Sequence, residues 1–244
     1  MCKKKLNFDN LDTNKPVNYA NQNLSNKISV VKDDILNMSC EAIVNAAKKS
    51  LLGGGGIDGN IHRKAGITFS LKCRALPVKC HDSNGEQIRC DTGECVVTDT
   101  LTTNLESRFR YVFHTVGPDC RIEPDMILNA SKLKNCYESV LQKVLDYKVK
   151  SIAFCCISTG VYKYPPEDAA KIAFKTITSW LENNNQSVEK IIFCTYKVED
   201  QHIYNRLLKQ YLSNHKVNSF DKNNELGSTS FMDTSKVHTT AWDR

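Results

Sequence analysis

Residues 41–66 read EAIVNAAKKSLLGGGGIDGNIHRKAG, and the expected fold is organised around this stretch. Its apolar run at 42–44 is typical of a buried strand, and residues 58–65 can form a helix. Between them stand four consecutive glycines, at positions 53–56. Glycine loses more backbone entropy on ordering than any other residue, so packing alone gives no reason for such a run.

Two interpretations of the glycine run are open. Either the loop is simply flexible, or its backbone N–H groups must come close to something bulky and negative that any Cβ would obstruct. Phosphate bound at the N-terminus of a helix is the usual instance of the second interpretation. The features on either side of the stretch bear on the choice.

A second glycine-containing loop, at 158–162, also follows a strand and precedes a helix. Both loops are expected at the same edge of the sheet, where they can hold the two phosphates of a diphosphate. Ser158 and Thr159 add hydroxyl donors to the N–H groups of this loop. Tyr162 is suited to stack on a sugar or base, and its alternative is packing under its own loop.

Strands and helices alternate through the middle of the chain. Strands are predicted at 28–31, 42–46, 95–100, 109–116, 151–157 and 190–195, and helices at 58–76, 128–147, 165–181 and 199–212. This alternation predicts an α/β sandwich. The expected domain covers residues 27–213, between a mobile or loosely packed segment at 1–26 and a tail at 214–244 that is predicted to be disordered.

Asp34 lies just past the end of the first predicted strand. Ligands of α/β sheets bind outside the carboxyl ends of the strands, so Asp34 is a candidate ligand residue. Its plain alternative is a turn or a helix cap.

Length and composition narrow the class of protein. The 244 residues suffice for one large domain or two small ones. No apolar run approaches the ~20 residues of a membrane span, so no membrane association is expected. The net charge of +6 is mild, and the lysines and arginines are scattered, which makes nucleic acid a weak hypothesis.

The eleven cysteines are an odd number, and no signal peptide precedes them. We therefore expect a reduced protein of the cytoplasm or the nucleus rather than a disulfide framework. Cys73, Cys80, His81, Cys90 and Cys95 contain no CxxC spacing, so they do not favour a zinc site.

Several motifs together resemble a known family. They are AIVNAA (42–47), LLGGGGIDGNIHRKAG (51–66), CDTGECVVT (90–98), HTVGP (114–118) and CISTGVYKYP (156–165). In this order and at these spacings they resemble the macrodomains, most closely the MacroD-type branch, over residues 28–212. The resemblance implies a three-layer α/β/α sandwich with a mixed central sheet and a cleft for ADP-ribose. It also implies hydrolysis of ADP-ribose from modified acidic side chains or of O-acetyl-ADP-ribose.

The resemblance assigns ligand contacts to individual residues. It puts Asp34 at the adenine amino group, Ile35 beside it with a backbone contact, and Tyr196 next to the adenine. The first loop, Gly55-Gly56-Ile57-Asp58, would surround the distal phosphate and ribose. The second loop, Ser158-Thr159-Gly160-Val161-Tyr162, would cover the diphosphate.

Asp58 is the catalytic residue that the resemblance implies, and an N-cap for the following helix is its plain alternative. In the implied reaction, Asp58 or the ligand's own phosphate orients or deprotonates a water near the distal ribose. No metal or other cofactor is needed. His62, one helical turn beyond Asp58, is a candidate accessory residue, and Asn45 is implied to be structural.

Two residues depart from the family's pattern. Lys48 stands where the family has a second Asn that hydrogen-bonds the distal ribose, and lysine has donors but no acceptor. The alternatives for Lys48 are exposure to solvent, pairing with Asp58, or ribose binding in place of the Asn. Lys163 replaces a second loop glycine. At a positive φ it would strain the loop by ~1–2 kcal/mol, and otherwise it adds positive charge near the diphosphate.

Three hypotheses for the function follow. The first is a hydrolase of ADP-ribosyl esters, whose partners are ADP-ribose, mono-ADP-ribosylated proteins and O-acetyl-ADP-ribose. The second is a reader module that binds ADP-ribose without turnover, with Lys48 as its main support. The third is a nicotinamide-dependent oxidoreductase, because residues 54–59 match GxGxxG by letter. They stand several residues from the preceding strand, however, and no acidic residue ends a second strand about 20 residues on.

Overall fold

The computed structural model of the protein describes residues 26–225, with side chains as far as residue 212. The predicted N-terminal segment 1–26 lies outside the described residues except for its last residue, and residues 226–244 of the predicted tail lie outside as well. Internal contacts divide the chain into a unit that ends at Lys209 and a unit that begins at Gln210. The sheet and the candidate site belong to the first unit.

Strands and helices alternate along the described chain. The strands are β1 (Ile28–Lys32), β2 (Ala42–Ala46), β3 (Cys80–His81), β4 (Gln87–Ile88), β5 (Cys95–Asp99), β6 (Tyr111–Thr115), β7 (Ser151–Phe154) and β8 (Lys190–Thr195). The helices are α1 (Gly56–Ala65), α2 (Ile67–Ala75), α3 (Met126–Asp146), α4 (Pro166–Asn184) and α5 (Val198–Glu225), and a 3-10 turn covers Ile35–Asn37.

A mixed sheet with the strand order β1-β8-β7-β2-β6-β5 forms the centre of the fold. The strands from β1 to β6 in this order run parallel, while β5 is antiparallel to β6. Continuous apolar runs such as residues 152–154 are fully buried, as parallel strands covered on both faces require. The carboxyl ends of the parallel strands therefore meet at one edge, and so do the loops that follow them.

Helices cover the sheet in two groups. Helix α3 packs on α4 and on strands β5 and β6, through a buried stripe that includes Leu133, Tyr137, Val140 and Val144. Helix α1 packs on β2 and on α2. The predicted three-layer α/β/α sandwich with a mixed central sheet is confirmed.

Some element boundaries differ from the prediction for local reasons. The helix expected over 58–76 is interrupted at Gly66, whose φ of +83° separates α1 from α2. The apolar run 151–157 leaves the sheet after Phe154, because its last residues already belong to the second loop. The polar segment after Pro77 contains the short antiparallel pair β3 and β4, which the sequence pattern does not indicate.

The last helix is longer than the sequence predicts. Helix α5 continues to Glu225, past the expected end at Leu212, and so overlaps the start of the tail 214–244. The residues beyond 212 are mostly polar and lack the apolar spacing by which a helix is recognised in sequence. Within residues 26–225, every helix is too short or too polar to serve as a membrane span.

Candidate functional site

A cleft of about 720 Å³ opens at the edge of the sheet where the parallel strands end. Its walls come from the segments at or just after the ends of β1, β2, β6, β7 and β8, together with the first turns of α1 and α5. A volume of this size is typical of a small-molecule or cofactor site. The carboxyl edge of a parallel sheet is also the usual position of such a site.

Every ligand-binding residue predicted from the sequence lines this cleft. These residues are Asp34, Ile35, Lys48, Gly55, Gly56, Ile57, Asp58, Ser158, Thr159, Gly160, Val161, Tyr162 and Tyr196. The two predicted accessory residues are not among its lining, since His62 is buried next to Asp58 and Lys163 is exposed. The lining establishes proximity, and the binding role of each residue stays a prediction.

The first glycine loop ends in a helix N-terminus without a side-chain cap. Gly55 is the N-cap residue of α1 and has no side chain with which to accept from the first N–H groups. Gly56 has a φ of +60°, which favours glycine, and a Cβ on Gly55 or Gly56 would meet no atom within 4 Å. Uncapped N–H groups beside open space, at the positive end of a helix dipole, suit an anion. This arrangement supports the phosphate interpretation of the glycine run.

Gly117, just after β6, allows the second loop to approach the edge of the sheet. A Cβ on Gly117 would lie 2.0 Å from Ser158 Oγ and 2.8 Å from Ile157 Cγ2. Ser158 itself has a φ of +66°, and its buried Oγ has no hydrogen-bond partner in the described part of the chain. The Thr159 hydroxyl donates to the Cys156 carbonyl at 3.1 Å. Of the two predicted phosphate-binding hydroxyls, that of Ser158 is therefore the one not used inside the loop.

Tyr162 lies at the cleft and also packs against its surroundings, while stacking on a ligand stays a prediction. Its side chain is half-buried and lines the cleft, and burial raises its pKa. The Arg121 guanidinium lies 5.6 Å from the centre of its ring, and Asp119 accepts two hydrogen bonds from that guanidinium. The Tyr162 carbonyl accepts from the Cys120 N–H at 2.9 Å, which ties the second loop to the segment after β6.

The backbone of Lys163 has a conformation in which any side chain raises the conformational energy. Its φ is +58°, in the left-handed region where a residue with a Cβ is disfavoured by ~1–2 kcal/mol. Its side chain is exposed and does not line the cleft. The geometry therefore agrees with loop strain and gives no support to a charge beside the diphosphate.

Asp58, the predicted catalytic residue, is 3% exposed at the cleft wall in the first turn of α1. Its Oδ1 accepts from Asn45 Nδ2 at 2.8 Å and lies 3.6 Å from His62 Nε2, whereas Oδ2 has no hydrogen-bond partner among the described residues. Burial raises the pKa of Asp58 and outweighs the lowering by Asn45, His62 and Lys48. A carboxylate with a raised pKa and an uncommitted oxygen beside a cleft is suited to act as a general base.

A buried chain of polar groups holds Asp58 from the sheet. Asn45 on β2 lies in register with His114 on β6, and its amide donates both to Asp58 Oδ1 and, at 3.1 Å, to His114 Nδ1. Because Nδ1 accepts, the His114 proton is assigned to Nε2, which lies 3.2 Å from Thr98 Oγ1. Complete burial lowers the pKa of His114 to about 3. The structural role implied for Asn45 thus takes the form of orienting Asp58.

His62 packs on the other side of Asp58. Its Nδ1 lies 3.2 Å from Ser70 Oγ, and its ring meets Phe69 edge-on with centroids 5.2 Å apart. Burial lowers the pKa of His62 more than the neighbouring Asp58 raises it. A neutral His62 therefore adds little charge to the pair, and its contact with Asp58 is chiefly one of position.

The side chain of Lys48 forms an ion pair that the sequence does not suggest. Its Nζ donates to Glu86 Oε1 at 2.9 Å, and the two side chains are 41% and 50% exposed. Lys48 therefore neither points freely into solvent nor forms an ion pair with Asp58. Glu86 immediately precedes β4, so the pair joins the loop after β2 to the β3–β4 hairpin.

Asp34 and Tyr196 also line the cleft. Asp34 Oδ1 accepts from the Leu36 N–H at 3.0 Å and so caps the 3-10 turn, while Oδ2 accepts from Asn60 Nδ2 at 3.0 Å. Asp34 therefore caps the turn and also lines the cleft. Tyr196 is 81% exposed, so a broad aromatic surface is available to a ligand here.

Some residues of the cleft were not identified from the sequence. Asn60 and Arg63 line it from α1, and their spacing of three and six residues from Ile57, on one face of the helix, is the signal that could have found them. Lys197 and Asp200 line it from the start of α5, and burial raises the pKa of Asp200. No local pattern distinguishes these two residues from an ordinary polar helix start.

Comparisons with known proteins agree with this geometry. A family model described as the Macro domain matches residues 44–173. The human ADP-ribose glycohydrolase MACROD2 is 41% identical over 207 residues, which cover 84% of this chain and 43% of that protein. The O-acetyl-ADP-ribose deacetylase 2 of Pantoea vagans is 37% identical over 186 residues, which cover 75% of this chain and 99% of that protein.

Solved structures show the same likeness. The Oceanobacillus iheyensis macrodomain with ADP has a TM-score of 0.66 and 36% identity, over 79% of this chain and 95% of that chain. The chain spans about half the length of several vertebrate relatives that it matches. The glycine loops, the mixed sheet and these matches lead to one conclusion: this chain belongs to the macrodomain family, and within it to the MacroD type.

Proposed function

We propose that this protein is an ADP-ribosyl ester hydrolase. It removes ADP-ribose from modified glutamate or aspartate side chains and deacetylates O-acetyl-ADP-ribose. The observation that carries the proposal is the position of Asp58, a buried carboxylate beside the uncapped N-terminus of α1 at the wall of the cleft. The names of the relatives support it, since one is an ADP-ribose glycohydrolase and another an O-acetyl-ADP-ribose deacetylase.

The proposed binding mode assigns each part of ADP-ribose to one group of cleft residues. The adenine lies between Asp34 and Tyr196, and the diphosphate lies between the N–H groups of the glycine run 53–56 and the second loop 158–162. The distal ribose then reaches Asp58. Holding the diphosphate from both sides fixes the reacting carbon relative to Asp58, and such positioning supplies much of the rate in a reaction with water.

Water cleaves the ester in the proposed reaction. The ionised Asp58 orients a water molecule and accepts a proton from it, as a general base does. The water oxygen bonds to the carbon under attack while the ester C–O bond breaks. The products are ADP-ribose and a carboxylate, and one proton is released. Because the ester is intrinsically labile, a single well-placed base suffices.

The test is to incubate the full chain with a protein that is ADP-ribosylated on glutamate, and separately with O-acetyl-ADP-ribose. Free ADP-ribose released in each case is quantified, and its binding to the protein is measured by calorimetry. Turnover of either substrate supports the hydrolase. Micromolar binding without any turnover would leave the reader module as the function, and Lys48→Asn would then be the first variant to make, because it restores the residue of the family pattern.

We also propose that the protein acts in a reducing compartment, the cytoplasm or the nucleus. The cysteines that the structure describes are free, and most of them are buried. Burial raises the pKa of several, including Cys90 and Cys155 to about 12, which keeps them as unreactive thiols. Microscopy of the tagged full chain in its native cell tests this proposal.

A further inference from the structure

A second, smaller cavity adjoins the cleft. It measures about 210 Å³, and Lys48, Gly117 and Tyr162 line both spaces. We call it the hairpin pocket, because Glu86, Gln87 and Ile88 of the β3–β4 hairpin form much of its remaining wall. Its volume is suited to a small group rather than to a nucleotide. A ligand that fills the cleft therefore has a neighbouring space into which one further small group can extend.

Lys48 stands at the junction of these two spaces. A Cβ on Gly54 would lie 3.8 Å from Lys48 Cδ and 3.1 Å from Asp58 Oδ2, so the lysine stem and the carboxylate flank the same glycine. The ammonium group continues past this point to Glu86 Oε1, at 2.9 Å. The lysine stem thus passes near the proposed base, while the ammonium group lies at Glu86, on the side of the hairpin pocket.

The charge of Lys48 is available to a ligand. Both partners of the Lys48–Glu86 pair are about half exposed, and ion pairs of this kind contribute little to stability because water screens them. Another carboxylate can therefore compete with Glu86 for the ammonium group, although Asp82 and Asp119 also line the hairpin pocket and Lys49 is the other cation there. Lysine suits this exchange, since its three donors lie on a flexible stem.

The proposed reaction creates negative charge on the acyl side of the ester. Water adds, one C–O bond breaks, the acyl part leaves as a carboxylate, and a proton passes to solvent. Resting on that proposed function, we propose that Lys48 stabilises the charge developing on the acyl oxygens. The hairpin pocket then receives the acyl group, which is the acetyl group or the side chain of the modified protein. A cation beside developing negative charge lowers the barrier of the step that creates this charge.

The test compares variants of Lys48 and its partner with a matched control. Lys48→Met removes the charge and keeps the length, Lys48→Arg keeps the charge, and Glu86→Gln removes the competing carboxylate. The control is Lys134→Met, because Lys134 also forms an exposed ion pair, with Glu138 at 2.6 Å, and lines neither cavity. The readouts are kcat on O-acetyl- and O-chloroacetyl-ADP-ribose, the Kd of free ADP-ribose, and inhibition by acetate.

We expect Lys48→Met to lower kcat on the acetyl ester roughly 10- to 100-fold, with the Kd of ADP-ribose within about threefold of the natural value. The loss is smaller on the chloroacetyl ester, whose acid is stronger and needs less stabilisation. Lys48→Arg restores most of the rate. Glu86→Gln strengthens inhibition by acetate, because the ammonium group then has no competing partner.

Three outcomes would overturn the inference, and they are distinguishable. If Lys48→Met matches Lys134→Met while the natural protein is active, the hydrolase stands and the role of Lys48 is wrong. If Lys48→Met loses ADP-ribose binding as strongly as kcat, Lys48 acts on the ADP-ribose part instead. If the natural protein turns over neither ester, the proposed function itself fails, and this inference fails with it.

Discussion

Single buried residues set the chemistry of the cleft, and Asp58 is the clearest case. Its carboxylate is removed from water, which raises its pKa, and it accepts a hydrogen bond from the amide of Asn45. Asn45 is in turn held by His114, so the orientation of the Asp58 carboxylate depends on a residue in the neighbouring strand of the sheet. The hydrogen bond from Asn45 to His114 requires a neutral His114 ring, since its Nδ1 must accept.

His114 makes stability depend on pH. Its pKa falls from 6.5 to about 3 on folding. Between these two pH values the unfolded state therefore binds a proton at this ring that the native state does not bind. The stability that the neutral His114 ring provides is fully present above pH 6.5 and is lost as pH falls toward 3. The free energy of unfolding changes by up to ~1.4 kcal/mol per pH unit in this range. We expect the free energy of unfolding, measured with urea, to decline between pH 6.5 and 5, and His114→Gln to flatten the decline. His81→Gln, at an exposed histidine, is the control. Equal slopes in the natural protein and in His114→Gln would contradict the assignment.

Many of the site residues were predictable from local motifs, whereas contacts between residues far apart in the sequence were not. Asp34, Asp58 and the two loops were identified because each lies within a short motif next to a strand. The partner of Lys48 is 38 residues away, in a hairpin with no strong strand pattern, so sequence alone gives no sign of the Lys48–Glu86 pair. The same reason hides Asp200, whose burial is decided by tertiary packing.

At the scale of elements, the cleft depends on two glycine-containing loops that line it together. The first loop presents the uncapped N-terminus of α1, and the second follows β7 and packs against Gly117. Parallel strands make this possible, because β2, β6 and β7 all end at the same edge. The position of the second loop therefore depends on the absence of a side chain at Gly117.

Gly117→Ala tests the close packing of the second loop. The added Cβ would lie 2.0 Å from Ser158 Oγ, so the loop must move. We expect a loss of ~1–3 kcal/mol in the free energy of unfolding, as for other overpacked sites, together with weaker ADP-ribose binding. Gly160→Ala is the matched control for stability, because its Cβ would meet no atom within 4 Å. Equal stability of the two variants would show that the loop does not rest on Gly117.

Element types were more predictable than element ends. The strands β2 and β8 match their predicted ranges, because apolar runs of that length have one favourable arrangement in a covered sheet. The break at Gly66 and the extension of α5 to Glu225 were not predicted. A single glycine can lie inside a helix or end it, and a polar stretch gives no periodic signal. The local sequence pattern therefore predicts neither the break at Gly66 nor the end of α5.

At the scale of the whole molecule, the cleft joins segments from Asp33 to Asp200 and so connects most of the sheet. A ligand that contacts all of these segments stabilises the native state as a unit. The family and the three-layer fold could be predicted from the order of the motifs, because five separate motifs constrain one topology. The hairpin pocket could not, since it forms only when the β3–β4 hairpin meets the loops after β2, β6 and β7.

ADP-ribose is therefore expected to raise the melting temperature of the full chain. At a concentration of about 100 times Kd it stabilises the native state by ~2.7 kcal/mol, or roughly 5–10 °C for a domain of this size. Differential scanning fluorimetry with ADP-ribose, and with AMP as a ligand that lacks the second phosphate and the distal ribose, measures the effect. AMP is expected to give a clearly smaller shift at the same concentration. A shift with AMP equal to that with ADP-ribose would contradict a site built around the diphosphate and distal ribose.

The measurement that tests the central claim most directly is ADP-ribose release by Asp58→Asn. The substitution keeps the shape and an acceptor for Asn45 but removes the base. Asp146→Asn is the matched control, since Asp146 lies at the end of α3, pairs with Lys143 at 2.9 Å and does not line the cleft. We predict that Asp58→Asn lowers kcat on a glutamate-modified protein by ~10²–10⁴-fold, with ADP-ribose affinity within about threefold and Asp146→Asn unaffected. Full turnover by a folded Asp58→Asn variant would contradict the account.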